Sequence, residues 1–390
     1  MIRKLDDISE ISSGGTPSRK VKEYWDGTIN WLKSQEVRRA FVYDTEEKIS
    51  VLGMNRSSAR KIYPPDTVVL ALYGATAGEV ALLKTSSTIN QAIAALEGRI
   101  RECNNHFLFY SLMQNKERLL LETTGAAQQN LYLKMVKEFT IPLPSYEEQC
   151  RVASVLSWFD DLIENKKRQN EVLEKTAMAI FKSWFMDFEP FKDGEFVLSE
   201  LGEIPKDWKA GRLIDISEII MGQSPPSRYY NEDGEGLPFI QGKGQFGKYT
   251  PETTTFCSSE GKIAKPLDII VTVRAPVGEL NIADRDYVIG RGVASLRSKH
   301  WSFLFCWLRQ NSELMKAYER GTTFEAITKQ ELDNFPMLLP PTSILEKFNS
   351  ITEPLLQKIL LNQKQITILR GIRDTLLPLL VFGRLRVEEI

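Results

Sequence analysis

Three short segments early in the chain carry side chains suited to reading flat hydrogen-bonding edges: Ser12-Ser13-Gly14-Gly15-Thr16-Pro17-Ser18-Arg19-Lys20, Lys33-Ser34-Gln35-Glu36-Val37-Arg38-Arg39, and Tyr73-Gly74-Ala75-Thr76. Arginine, lysine, glutamine and hydroxyl groups match the donors and acceptors on base edges in a DNA groove, and small residues beside them let the backbone come close. Each segment has a counterpart in the second half of the chain: Gly222-Gln223-Ser224-Pro225-Pro226-Ser227-Arg228-Tyr229, Gln241-Gly242-Lys243-Gly244-Gln245, and Arg274-Ala275-Pro276. The candidate contact residues are Thr16, Ser18, Arg19, Lys20, Lys33, Ser34, Gln35, Arg38, Arg39, Tyr73 and Thr76, then Ser224, Arg228, Tyr229, Gln241, Lys243, Gln245 and Arg274. Taken singly, each segment is also an ordinary solvated loop. Phe41, Tyr43, Tyr229 and Tyr230 are able to stack on extruded bases, but covering a small core is their commoner use. Gln128, Asn130 and Phe324 either contact DNA or fix a junction with the helices that follow, and the junction is the expected role.

No catalytic pattern of weight accompanies these loops. Gly242-Lys243-Gly244-Gln245-Phe246-Gly247 lacks the Lys-Ser/Thr ending of a phosphate loop. The Pro-Pro pairs follow Tyr63, Ser224 and Leu339, so the Asp/Asn-Pro-Pro-aromatic grip of adenine and cytosine methyltransferases is missing. Pro65-Asp66 resembles the opening of a nuclease site, but Glu79-Val80-Ala81 has no lysine where one is required. Two histidines, His106 and His300, leave little for a hydrolase triad, and both are expected to be structural. The pattern is that of a recogniser.

The 390 residues are 42% apolar and 26% charged, an ordinary balance for two or three globular domains. Cys103, Cys150, Cys257 and Cys306 stand singly, so neither a disulfide framework nor a zinc site is encoded locally. No apolar run is long enough to span a bilayer, and Met1 to Asp7 lacks a signal-peptide core, so a cytoplasmic protein without membrane contact is expected. The net charge of -1 is unusual for a DNA binder and implies that basic surface is local or supplied by partner subunits.

The chain contains itself twice. Ile8-Ser9-Glu10 returns as Ile216-Ser217-Glu218, Ile29-Asn30-Trp31-Leu32 as Leu237-Pro238-Phe239-Ile240, and Gly74-Ala75-Thr76-Ala77-Gly78-Glu79 as Arg274-Ala275-Pro276-Val277-Gly278-Glu279. Phe107-Leu108-Phe109 matches Phe303-Leu304-Phe305, Gly125 matches Gly321, and Ile141-Pro142-Leu143-Pro144 matches Met337-Leu338-Leu339-Pro340. A duplicated module of this size suggests approximate two-fold symmetry, and duplex DNA offers matching half-sites to such a molecule. The loops differ between the copies while the framework is shared, so the copies are expected to read different half-sequences.

The positioning elements follow from periodicity. Thr67-Val68-Val69-Leu70-Ala71-Leu72 and Asp268-Ile269-Ile270-Val271-Thr272-Val273 read as strands ended by turns, within a small mixed sheet with long loops. A helix is expected from His106 to Glu122 and another from Trp301 to Arg320, each closed by a glycine. From Ser145 to Phe188 there is neither Gly nor Pro, and apolar residues recur every three or four positions from Val152 to Phe188, which predicts one helix opened by a Ser145/Glu148 capping box. Thr342 to Phe382 repeats the pattern, with Pro354, Gly371 and Pro378 expected to kink or fray it. Helices this long are expected to bury their stripes on each other, antiparallel, the other reading being that each packs on its own module as an ordinary core element.

Together these features resemble the specificity subunit of type I restriction-modification systems, over the whole chain. The most specific pieces are Leu201-Gly202-Glu203-Ile204-Pro205-Lys206-Asp207-Trp208 leading into Ile214-Asp215-Ile216, and Arg373-Asp374-Thr375-Leu376-Leu377-Pro378-Leu379-Leu380-Val381-Phe382-Gly383-Arg384. Ile141-Pro142-Leu143-Pro144 followed by Glu147-Glu148-Gln149 and Asp160-Asp161-Leu162-Ile163 adds to them. The resemblance implies a non-catalytic subunit of α+β class: two similar small mixed-sheet recognition domains in pseudo-two-fold repeat, separated by an antiparallel pair of long helices forming a coiled coil. It implies recognition domains at residues 1–143 and 190–340 and helical spacers at 144–189 and 341–390. Its implied partners are double-stranded DNA with a bipartite target, two modification (methyltransferase) subunits that carry S-adenosylmethionine, and restriction/translocase subunits; no cofactor is expected in this chain. The competing readings are a recognition protein with its own methyltransferase or nuclease activity, and a coiled-coil scaffold without DNA binding.

Overall fold

Every residue of the strand Val68–Ala71 is buried, so consecutive side chains must enter two different cores. In the computed structural model, which describes residues 1–38, 41–121, 130–321 and 326–387, they do. Val68 and Leu70, with Leu82, Ala94 and Leu96, join one apolar cluster, whereas Val69 and Ala71, with Ala81, Leu83, Ile93 and Ala95, join another. The two-residue period of an extended chain thus produces a sheet covered on both faces.

The chain forms two compact units, Met1–Ile163 with Ile368–Ile390, and Glu164–Thr367. In the first, a five-stranded sheet runs in the order Ser9–Ser13, Ile93–Gly98, Val68–Ala71, Val80–Leu83, Phe41–Val42, antiparallel except for the last pair. One face packs on the helix Asn105–Gln114 through Phe107, Leu108 and Leu112. The other packs on a three-stranded sheet, Glu47–Ile49, Ile29–Leu32, Ser87–Ile89, through Leu32 and Ile89. Ile2–Lys4 pairs antiparallel with Thr140–Pro142.

The second unit repeats this plan. Its four-stranded sheet runs Glu218–Met221, Val293–Arg297, Ile269–Thr272, Leu280–Ile282, and Ile269 and Val271 again enter a different core from Ile270. Leu237–Ile240 and Tyr287–Ile289 pair in parallel beside it, as Ile29–Leu32 and Ser87–Ile89 do in the first unit. The lead-in motif forms a hairpin, Phe196–Ser199 with Gly202–Pro205, which turns at Gly202 with a φ of 96° that favours glycine. It buries Ile204 and, just beyond, Trp208, whose ring meets those of Phe185, Phe188 and Phe191.

The helices depart from expectation in several ways. The helix expected over residues 106–122 is two pieces, Asn105–Gln114 and Lys116–Leu121, and its counterpart is Trp301–Gln310 and Ser312–Gly321. At each break an asparagine bonds back four residues, Asn115 Nδ2 to the Ser111 carbonyl (2.7 Å) and Asn311 Nδ2 to that of Trp307 (2.9 Å), competing with the helix ladder. Gly125 lies outside the described residues. The long helices are Tyr146–Phe185 and Thr342–Val381, 40 residues each, and the second runs unbroken through Pro354, Gly371 and Pro378. Ser145 Oγ accepts the Glu148 N–H at 3.3 Å, but the Glu148 carboxylate turns to Arg151, so only half of the capping box forms.

Within each unit the two long helices meet antiparallel. In the second, Lys166 Nζ donates to Gln365 Oε1 at 2.6 Å, Asn362 Nδ2 to Asn170 Oδ1 at 2.9 Å, and Phe181 and Phe185 pack on Phe348. In the first, Asp160 meets Arg373. The apolar stripes are spent partly on each other and partly on the cores of the two units. Val152, Leu156, Leu377, Leu380 and Val381 are built into the first unit's core beside Leu5 and Phe107, and Ala177, Phe181, Phe185, Phe348 and Leu356 into the second's beside Phe303 and Leu304. Each core thus includes apolar side chains from both long helices. Among the described residues, no helix is long and apolar enough to cross a membrane.

Candidate DNA interface

Strand register brings the predicted loops together. In the first unit Ser13 lies opposite Ala94 and Ala71 opposite Ile93, so the strands leading to residues 14–20 and 72–79 both finish where residues 90–92 turn into the next strand. The parallel pairing of Leu32 with Ile89 adds residues 33–38 at the same end. Cross-bonds lock the cluster: Gly15 N–H to the Ile89 carbonyl (3.0 Å), Asn90 N–H to Leu32 (3.0 Å), Leu72 N–H to Ala92 (2.8 Å). Gly14 is required by this approach, because a Cβ there would lie 1.8 Å from the Ile89 carbonyl oxygen.

Their side chains divide into exposed groups and braces. Thr16 Oγ1 donates to Gln91 Oε1 at 2.5 Å, and the Tyr73 hydroxyl donates to the Gln91 carbonyl at 3.0 Å. Arg19 lies over the Trp25 ring, 3.6 Å from its centroid, and grips Glu47 with both ends of its fork. Lys33 reaches Glu46 (2.8 Å) and Glu47 (3.1 Å). The Arg19 hydrogen bond, against the cost of burial and with help from Lys33, holds the Glu47 carboxyl down to about 2. Two of the basic side chains in this loop cluster are thereby neutralised. Ser34 and Thr76 are buried, and Thr76 Oγ1 donates to the Ser34 carbonyl at 2.9 Å, so they join two loops from beneath. Ser18, Lys20, Gln35 and Arg38 are exposed, and Arg39 lies outside the described residues.

The second unit gathers the matching loops by the same register, Met221 opposite Ala294, Thr272 opposite Val293, and Ile240 beside Ile289. Here they enclose a hollow of about 230 Å³ lined by Gln241, Gly242, Lys243, Arg274, Ala275, Arg291 and Gly292. Lys243 is paired with Glu279. Gln245 Oε1 accepts the N–H groups of Gln241 (3.3 Å) and Gly242 (3.1 Å), and Ser224 Oγ accepts that of Arg291 (3.2 Å), so both act as braces. Arg228 lies over Tyr229 at the edge. Gly222 repeats the role of Gly14: a Cβ there would meet the Gly290 carbonyl oxygen at 2.1 Å.

Three of the four aromatic candidates cover cores and one does not. Phe41 is buried against Phe109, Tyr230 stacks on Phe239 with 4.5 Å between centroids, and Tyr229 packs on the same cluster, whereas Tyr43 is exposed. Gln128 and Phe324 lie outside the described residues. Next to Asn130, Leu131 donates to the Leu72 carbonyl at 2.7 Å, as Ile327 does to that of Val273 at 2.8 Å, and Leu131 packs in the core that also holds Val152 and Leu156 of the long helix. Gln91 and Arg291, on a fourth loop of the same clusters, are not among the predicted contacts. The signal was present in the alignment of Ile89-Asn90-Gln91-Ala92 with Ile289-Gly290-Arg291-Gly292, which falls between recognisable strands.

Both histidines are held in structural bonds, His106 by Ser157 (2.9 Å) and Asp66 (3.1 Å), His300 by Asn349 (2.7 Å). Among the described residues no group of His, Cys, Asp and Glu is arranged to hold a metal ion.

Comparison with known proteins agrees with this architecture. Residues 1–175 and 205–370 match the type I restriction modification DNA specificity domain. The chain is 37% identical over 414 aligned positions to the type I restriction enzyme MjaIX specificity subunit of Methanocaldococcus jannaschii, covering 100% of this chain and 94% of the relative. It is 22% identical to the type I restriction enzyme HindI specificity subunit of Haemophilus influenzae, over 72% of this chain and 77% of that one. Among solved structures, the type I restriction-modification S subunit from M. genitalium shares the fold with a TM-score of 0.65 at 18% identity, over 98% of this chain and 96% of that one.

Proposed function

The chain belongs to the type I restriction-modification DNA specificity family, and on that premise we propose that each unit applies its converged loops to one half of a bipartite duplex target. The observation that carries this reading is the gathering of three predicted loops, and a fourth, at one end of the sheets in both units, with different side chains in each. The recognition domains are residues 1–143 and 190–340. Arg274, Arg291, Gln91, Thr16 and Tyr73 face outward and touch DNA, while Ser34, Thr76, Ser224 and Gln245 hold the loops in shape.

The long helices dock two modification subunits, which bring S-adenosylmethionine and the methylation chemistry, and restriction/translocase subunits join that assembly. Apolar side chains left exposed on the helices support this role: Trp158, Ile368 and Ile372 in the first unit, Val172, Ile351 and Leu361 in the second. The complex works in the cytoplasm. With a net charge of -1 the isolated chain has little excess charge with which to neutralise phosphates, so tight binding depends on the partners.

A domain exchange tests the proposal. Replacing residues 4–140 by the matching part of a relative, in the assembled complex, is expected to change one half of the methylated motif and leave the other intact. A chimera that methylates with both halves altered refutes the division, and methylation by the purified chain alone refutes the non-catalytic role.

A further inference from the structure

The fourth loop was not among the predicted contacts, yet it sits between the others in both units. Arg291 is at its tip in the second unit, between Gly290 and Gly292. Its backbone is pinned on both sides: its own N–H bonds to Ser224 Oγ at 3.2 Å, and the Gly290 N–H bonds to the Ile240 carbonyl at 2.7 Å. The side chain is exposed into the hollow of residues 241–243, 274, 275, 291 and 292. Three cations line that hollow, and Lys243 is neutralised by Glu279. Among the described residues neither Arg274 nor Arg291 has a carboxylate partner, which leaves two guanidinium groups at one concave polar spot.

In the first unit the matching tip residue is Gln91: the Asn90 N–H before it bonds to the Leu32 carbonyl at 3.0 Å as that of Gly290 does to Ile240, and Gln91 is held further by its carbonyl accepting from Tyr73 and its side-chain oxygen from Thr16. An arginine fork matches the O6 and N7 acceptors of guanine, whereas a glutamine amide matches the N7 acceptor and N6 donor of adenine. We propose that this matched position determines one base in each half of the target: Arg291 reads a guanine in the half bound by the second unit, and Gln91 reads an adenine in the half bound by the first. Arg274, on the opposite wall, stabilises the same guanine or its neighbour. The inference rests on the recognition function proposed above and adds base identity to it.

The test uses the full chain assembled with its modification subunits and reads the methylated motif by sequencing. Arg291→Ala is expected to relax one position, a guanine in the wild-type motif, and to leave the other half unchanged. Gln91→Ala is expected to relax one adenine in the opposite half. Arg291→Lys separates base reading from phosphate contact, since a point charge contacts phosphate but lacks the fork; it is expected to relax the guanine as Arg291→Ala does. Should the variants fail to methylate, wild-type complex on duplexes carrying 7-deazaguanine at each guanine of that half is expected to lose roughly 5- to 150-fold in affinity at one position. An unchanged motif in Arg291→Ala or Gln91→Ala, relaxation at another base, Arg291→Lys matching wild type, or less than twofold loss at every deazaguanine overturns the assignment. If wild-type complex writes a two-part motif, that failure falls on this inference alone. If it writes none, the recognition function fails with it.

Discussion

Asp160 and Arg373, 213 residues apart in sequence, form a buried ion pair inside the first unit. The Arg373 guanidinium meets Asp160 Oδ1 at 2.5 Å, the two side chains are 14% and 2% exposed, and the Tyr110 hydroxyl donates to Asp160 Oδ2 at 2.6 Å. Burial, with Asp160 beside it, pushes the Tyr110 phenol up, so it remains a donor. Both long helices and the helix Asn105–Gln114 are thereby joined at one carboxylate. The pair unites the Asp160-Asp161 and Arg373-Asp374 motifs, which have no evident role when read along the chain.

Removing one member strands the other. Arg373→Met is expected to destabilise the first unit by about 3–5 kcal/mol, because Asp160 stays buried without its counter-charge. Adding Asp160→Asn should recover part of that loss. Denaturant unfolding of the three proteins checks this; equal stability of Arg373→Met and wild type would show that the pair carries no weight.

The Asn170–Asn362 contact in the second unit is expected to behave in the opposite way when both partners go. Asn170 Nδ2 and Asn362 Oδ1 are buried without a hydrogen-bond partner, so the pair is half satisfied. A buried polar pair between helices fixes register at a cost in stability. Replacing both by leucine should raise the melting temperature, whereas Asn362→Leu alone should cost about 1–3 kcal/mol by leaving Asn170 unpaired. A double variant that melts below wild type contradicts the expectation.

Loop placement is testable through glycines. Gly14→Ala and Gly222→Ala drive a Cβ into a carbonyl oxygen of the neighbouring loop and should displace it, whereas Gly244→Ala enters open space. The first two are expected to lower methylation by at least about tenfold, with secondary structure retained by circular dichroism, and the third to leave it unchanged; the size follows from the loss of one good base contact. Equal activity of all three would mean that the close approach is not needed.

Acid sensitivity should localise to Glu47. Its carboxyl lies at about 2 in the folded chain against 4.5 when free, so its contribution is full above about 4.5 and is lost as pH falls toward 2. Glu47→Gln should flatten the stability profile of the first unit in that interval and loosen Arg19 and Lys33. A wild-type profile that stays flat there, measured by thermal melts across the range, argues against the pairing.

Local and periodic properties determined much of this protein from sequence alone. Alternation of two in Val68-Val69-Leu70-Ala71 and of three and four from Val152 to Phe185 declares strands and a long helix, and duplication declares two similar units. Loop composition pointed to the surfaces that gather in each. Only the tertiary structure decided which polar side chains are available. Arg19 and Arg291 are equally basic on paper, yet Glu47 neutralises one and no carboxylate among the described residues meets the other; Thr76 looks like a contact residue until its hydroxyl is found bonded to the Ser34 carbonyl. The partners in these contacts lie 28 and 42 residues away, and a side chain's charge, burial and hydrogen bonds depend on neighbours that strand register, not sequence distance, brings beside it.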